Sequence, residues 1–160
     1  MTTATRPDIK TMANLESAFA GESMAHIKYR YFAKLAREMG DEDTARTFEE
    51  TADQEVMHAF GHLDLLYPKA TMTPAKALQI AIDGETYEYT EMYPGFLKTA
   101  QQEGRDAATT EIKQQIDESK EHAEMFKATL EKAAKRFAAL AKVEERHANQ
   151  YRAQLAKVTA

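Results

Sequence analysis

Leu-Glu-Ser-Ala-Phe-Ala-Gly-Glu at residues 15–22 returns as Leu-Gln-Ile-Ala-Ile-Asp-Gly-Glu at residues 78–85. Leu15, Ala18, Gly21 and Glu22 are matched by Leu78, Ala81, Gly84 and Glu85, an offset of 63. Farther along, Tyr29, Phe32, Lys34, Ala36 and Gly40 are matched by Tyr93, Phe96, Lys98, Ala100 and Gly104, an offset of 64. The added residue falls between Glu85 and Tyr93, just before Pro94-Gly95, and predicts a π-bulge or kink there. A third match pairs Glu42, Ala45, Phe48, Ala52, Glu55, His58, Ala59 and Leu66 with Glu131, Ala134, Phe137, Ala141, Glu144, His147, Ala148 and Leu155, an offset of 89. The chain reads as two duplicated helix pairs, the second carrying about 25 extra residues.

Composition agrees with helices throughout. Glycine (6) and proline (4) are scarce in 160 residues, and they stand where helices should stop. A first helix is expected from Met12 to Glu38, with Thr11 as N-cap and Gly40 after its end. A second runs from Glu42 to Leu66 and stops at Tyr67-Pro68, because the residue before proline avoids the α region. Thr73-Pro74 opens a third, a capping side chain followed by proline in the first turn, which Gly104 closes. From Arg105 to Ala160 there is neither Gly nor Pro, so the rest is helical with at most tight breaks. Residues 1–10 read as a flexible tail and 11–160 as one all-α domain, with an extra helical segment at about 106–132 between the third and fourth core helices.

The same numbers exclude several kinds of chemistry. With no cysteine there is no disulfide frame, thiolate zinc site or iron–sulfur centre in these residues. A net charge of −5, with acids and bases interspersed, offers no basic stripe for nucleic acid. Neither a signal peptide nor a membrane span is legible, so a cytoplasmic protein is expected.

What the repeat carries is a ligand set. Each half supplies one glutamate on its first helix, Glu22 and Glu85, and one Glu-x-x-His on its second, Glu55/His58 and Glu144/His147. Residues three apart share a helix face. One glutamate from each of two helices, plus Glu-x-x-His from each of the other two, is the pattern of di-iron and di-manganese carboxylate proteins. Two divalent ions close together need several anionic oxygens, and neutral imidazole suits iron. Glu88, one turn after Glu85, has no counterpart in the first half, where Ala25 stands; it reads as a seventh ligand. Tyr29 and Tyr93, two turns after Glu22 and Glu85, are expected to hydrogen-bond ligand carboxylates. His26 and His62 read as surface or groove residues, and Met24, Met57 and Met92 as core. His122 has Ser119 three residues before it, so the Glu-x-x-His spacing fails there; Glu118 and His122 offer at most a minor metal site at i, i+4.

These residues resemble the ferritin-like domain of the rubrerythrin family. The matching strings are AFAGES at 18–23, ETADQEVMHA at 50–59, GETYEYTEMYP at 84–94 and VEERHANQY at 143–151. The resemblance implies a ferritin-like four-helix bundle in which Glu22, Glu55, His58, Glu85, Glu88, Glu144 and His147 bind two irons, with manganese or a mixed pair as alternatives. It implies that reduction shifts one iron from Glu88 towards His58. It also implies reduction of hydrogen peroxide to water with electrons from a rubredoxin-type donor. The rival readings are an iron-hoarding ferroxidase and an oxygen-activating oxidase.

Three features depart from the family. No four-cysteine rubredoxin domain is present, so the donor is expected to be a separate protein. The segment between Gly104 and Ala134 is additional; at about 25 residues, or seven turns, it preserves helical phase. The connection from Tyr67 to Thr73 is short for a link along a bundle, which predicts a homodimer in which each chain's first hairpin packs on the other's second.

Overall fold

The computed structural model describes residues 10–159; apart from Lys10, the expected N-terminal tail lies outside the described residues. The described residues form five α-helices and one π turn, without strands, and divide into two compact units, one up to Met72 and the other from Thr73 onward.

The first unit is a hairpin of α1 (Thr11–Glu38) and α2 (Glu42–Leu66). Thr11, expected to cap α1, is instead its first helical residue. The turn between the helices is made by Gly40 at φ +84°, a left-handed conformation that a Cβ would strain. Asp41 then caps α2: its carboxylate accepts the Thr44 N–H at 3.0 Å and the Thr44 hydroxyl at 2.7 Å. Alanine lines the seam. Ala33 and Ala36 on α1, and Ala45, Ala52 and Ala59 at a strict spacing of seven on α2, are all buried. Small side chains let the two backbones approach, and Phe48 fills the wider end against Tyr29 and Phe32, with ring centroids 5.7 and 5.6 Å apart. Arg37 ties the hairpin outside the seam, its guanidinium donating to Glu42 at 3.0 Å and Glu49 at 2.8 Å.

The second unit begins as its sequence predicts. The Thr73 hydroxyl accepts the Lys76 N–H at 3.2 Å, and Pro74 occupies the first turn of α3 (Pro74–Tyr87). A π turn, Glu88–Met92, separates α3 from α4 (Tyr93–Gln102), with the Tyr93 N–H reaching back to the Glu88 carbonyl. The residue that shifts the repeat offset from 63 to 64 is absorbed at this turn. Gly104, at φ +66°, then makes the same turn as Gly40. Arg105 N–H bonds Ala100 O at 2.9 Å, as Asp41 N–H bonds Ala36 O at 2.9 Å.

Beyond the turn runs α5, one unbroken helix from Asp106 to Val158. Its 53 residues span about 80 Å at 1.5 Å each. The expected extra segment is the N-terminal half of this helix. It is the half that packs: Ser119 and Ala123 are buried, together with Ile82 of α3 and Ala100 of α4. Phe137 and Tyr151, in the C-terminal half, are 72% and 74% exposed.

Each hairpin also leaves apolar side chains bare. Met24, Ile27 and Tyr31 on α1, and Met57 and Phe60 on α2, are exposed, which corrects the expectation that Met24 and Met57 are core residues. They lie off the alanine seam, the only face of this hairpin that the two helices bury between themselves.

Candidate metal centre

The first hairpin gathers three of the expected ligands. Glu22 comes from the middle of α1, and Glu55 and His58 from one face of α2. Ligating atoms from the three lie within 4.8 Å of one another. His58 Nδ1 stands 3.0 Å from Glu55 Oε2 and 3.9 Å from Glu22 Oε2. The two carboxyls hydrogen-bond each other. That contact raises the Glu22 pKa and lowers that of Glu55. Two carboxyl groups aimed at one point with an imidazole beside them are the donor set a divalent cation takes. His26 plays no part in this group: its Nδ1 lies 2.7 Å from the Ala52 carbonyl, across the α1–α2 seam.

The second hairpin gathers a related but different set. Glu85 and Glu88, at the end of α3 and the start of the π turn, face α5. His122 Nδ1 is 3.5 Å from Glu85 Oε1. The Ser119 hydroxyl donates to Glu88 Oε2 at 3.1 Å. Glu85 Oε2 is buried with no hydrogen-bond partner. An unsatisfied carboxylate oxygen in the interior is costly unless something else meets it, and a metal ion would. Tyr93 lies in the same surroundings: burial first, and then the negative charges of Glu88, Glu85, Glu111 and Glu118, push its phenol above the ordinary range and hold it protonated. Its counterpart Tyr29 stacks against Phe48.

Of the seven sequence-predicted ligands, the structure therefore brings Glu22, Glu55 and His58 together and turns Glu85 and Glu88 towards α5. The residues of α5 that meet them are Ser119 and His122, not Glu144 and His147. Glu144 and His147 stand 3.8 Å apart on the exposed half of the helix, the glutamate side chain 76% exposed. The spacing rule had set His122 aside because Ser119 precedes it. The signal that finds it is the offset of 64, carried on through the Gly104 turn: Glu55, His58, Ala59 and Leu66 then fall on Ser119, His122, Ala123 and Leu130.

Two helical hairpins, each bringing glutamates and a histidine together, define an all-α architecture of the ferritin-like carboxylate type. The rubrerythrin family model matches residues 13–130, and the chain belongs to the rubrerythrin family. Nigerythrin of Nitratidesulfovibrio vulgaris is 40% identical over 110 residues, covering 61% of this chain and 54% of that protein. Rubrerythrin of Porphyromonas gingivalis is 35% identical over 132 residues, covering 76% of this chain and 66% of that protein. The chain thus spans between about half and two thirds of the length of these two relatives. A solved structure of nigerythrin in its fully reduced, all-ferrous state matches 84% of this chain and 73% of that one, with 34% identity and a TM-score of 0.39.

Proposed function

We propose that this protein is a di-iron peroxidase, reducing hydrogen peroxide to two waters with two electrons and two protons, the electrons arriving from a separate rubredoxin-type protein. The observation that carries the reading is the convergence of Glu22, Glu55 and His58 within 4.8 Å, in a chain of the rubrerythrin family. Glu85 and Glu88 are the matching carboxylates of the second hairpin, and the orphaned Glu85 oxygen fits a cation. An iron pair at such residues supplies Lewis acidity and the two reducing equivalents. Manganese, alone or mixed with iron, satisfies the same oxygen and nitrogen donors.

The chain's own residues then divide the work. Glu22, Glu55 and His58 offer two carboxylates and an imidazole to the ion of the first half-site. Tyr93 keeps its phenolic proton at neutral pH and sits among the carboxylates of the second, where it can donate to a departing oxygen. Tyr29 takes the matching place in the first hairpin. No cysteine occurs in these 160 residues, so a four-cysteine electron centre must lie elsewhere. The exposed apolar row Met24, Ile27, Tyr31, Met57 and Phe60 supports assembly of the chain into a homodimer. No helix of the described residues is long and apolar enough to cross a membrane, which fits the proposed cytoplasmic location.

The test is single-turnover oxidation of the anaerobically iron-loaded protein. The reading expects two irons per chain and a reaction with peroxide at least ten times faster than with oxygen. Faster reaction with oxygen moves the function to a ferroxidase or oxidase, and absence of metal binding removes it altogether.

A further inference from the structure

The helix α5 carries the same short pattern twice. Ser119, His122, Ala123, Phe126 and Leu130 recur 25 residues later as Glu144, His147, Ala148, Tyr151 and Leu155. Twenty-five residues make seven turns within about 20°, so both copies present the same face. They also lie about 37 Å apart along one continuous helix, so only one can meet Glu85 and Glu88. The structure seats the first. Ser119 is 4% exposed and bonded to Glu88, Ala123 is fully buried, and His122 faces Glu85. These are the places that Glu55, Ala59 and His58 hold in the first hairpin, where Ala59 is likewise buried. The family match agrees, since it ends at residue 130, after His122 and before Glu144.

We propose that His122 is the α5 metal ligand, and that Ser119 occupies the place where the internal repeat calls for a glutamate, so that the second hairpin offers a metal ion two carboxylates and one imidazole. The inference rests on the di-metal reading above. Its consequence is electrostatic. Glu85 and Glu88 carry two negative charges, which neutralise one divalent ion but leave a trivalent ion with an excess of one positive charge. A third carboxylate at position 119 would offset that excess at close range, where charge compensation is strongest. The site of this chain therefore favours the divalent state more than a fully symmetric repeat would. Glu144 and His147 stand outside the site and are dispensable for it.

The experiment is an anaerobic titration of the full chain with Co(II), read by its visible absorption bands and by calorimetry, with helicity checked by circular dichroism. Wild-type protein is expected to take two ions per chain. His122→Ala should weaken the second ion by about tenfold or more, while His147→Ala and Glu144→Ala leave both ions unchanged. His122→Gln replaces His122→Ala should the latter lose helicity. Ser119→Glu is expected to improve Ga(III) binding relative to Mn(II) by about tenfold, the shift that one nearby charge gives. Weakening by His147→Ala or Glu144→Ala, with or without an effect of His122→Ala, overturns the inference, as does the absence of any effect of His122→Ala. In those outcomes the di-metal reading stands. Failure of the wild-type chain to bind a pair of ions defeats that reading itself.

Discussion

The two hairpins share one pattern and differ at the position on the second helix of each that faces the glutamates of the first. Glu55 in the first hairpin and Ser119 in the second follow the same turn, lie on the same helix face and are flanked by the same buried alanine, Ala59 or Ala123. In the first, two carboxyls and an imidazole meet, and the contact raises the pKa of Glu22 and lowers that of Glu55. In the second, a hydroxyl satisfies one carboxylate and leaves another oxygen unmet. Each helix pair thus presents two carboxylates and an imidazole, but the second carboxylate of the first comes from α2 and that of the second, Glu88, from a π turn. Duplication supplies the frame, and the substitution sets what each half contributes.

The largest expected effect comes from removing the two counterparts in turn. Glu55→Ala takes away a carboxylate aimed at Glu22 and His58, and should weaken binding of the first ion by about 100-fold or abolish it. Ser119→Ala removes only a hydrogen bond to Glu88, and should change Co(II) affinity by no more than about threefold. Calorimetric titration of both variants decides the matter; equal losses would erase the asymmetry between the hairpins.

Next in size is the packing contrast between Ala52 and Ala141, equivalent by the offset of 89. Ala52 is completely buried in the α1–α2 seam, whereas Ala141 is exposed on α5. Ala52→Leu should cost about 1–3 kcal/mol, because two helices that touch through alanine have no space for a branched side chain. Ala141→Leu should stay within about 0.5 kcal/mol. Chemical denaturation measures both, and a comparable loss at Ala141 would show that the C-terminal half of α5 is packed in the assembled protein.

The turns, by contrast, should behave alike. Gly40 and Gly104 both adopt positive φ, and each receives its N–H bond geometry from the end of the preceding helix. Replacement by alanine at either should cost about 1–2 kcal/mol, the penalty of a Cβ in the left-handed region. A large inequality in denaturation midpoints would mean that the offset of 64 does not carry through the second turn as it does through the first.

These contrasts also show what the sequence could reveal. Gly40, Pro68, Pro74 and Gly104 marked the helix ends because their backbone constraints are local, and the extra residue before Tyr93 marked the π turn because a helix can absorb one residue only by widening. Glu22, Glu55 and His58 were legible because helical spacing alone puts Glu55 and His58 on one face. The partner of Glu85 was not, because α5 offers the same face twice and spacing within a helix cannot say which copy docks. That choice belongs to the tertiary contact: burial of Ser119 and Ala123 decides it. The exposure of Met24 and Met57 escaped for the same reason, since apolar character does not specify which neighbour covers it.

The smallest effect concerns how the second helix of each hairpin begins. Asp41 caps α2 through Thr44, whereas Arg105, its counterpart at the head of α5, makes no side-chain cap. Hydrogen bonds from the Thr44 side chain, then its backbone N–H, hold the Asp41 carboxyl below the usual aspartate range. A carboxyl whose pKa is lower folded than unfolded stabilises the fold fully above its unfolded value near 4. That contribution is lost as pH falls through the depressed folded value. Asp41→Ala should therefore lower the melting temperature by about 2–4 °C at neutral pH and by progressively less in acid. Arg105→Asp should do the reverse for the second hairpin. It adds an acceptor for the Ala108 N–H and removes a positive charge from a helix N-terminus, so it raises the melting temperature at neutral pH and loses that gain in acid. Thermal melts of both variants at pH 7 and pH 3 test the assignment. A stabilisation by Arg105→Asp that persists unchanged at pH 3 would mean that removing the arginine, rather than making the cap, is what separates the two helix starts.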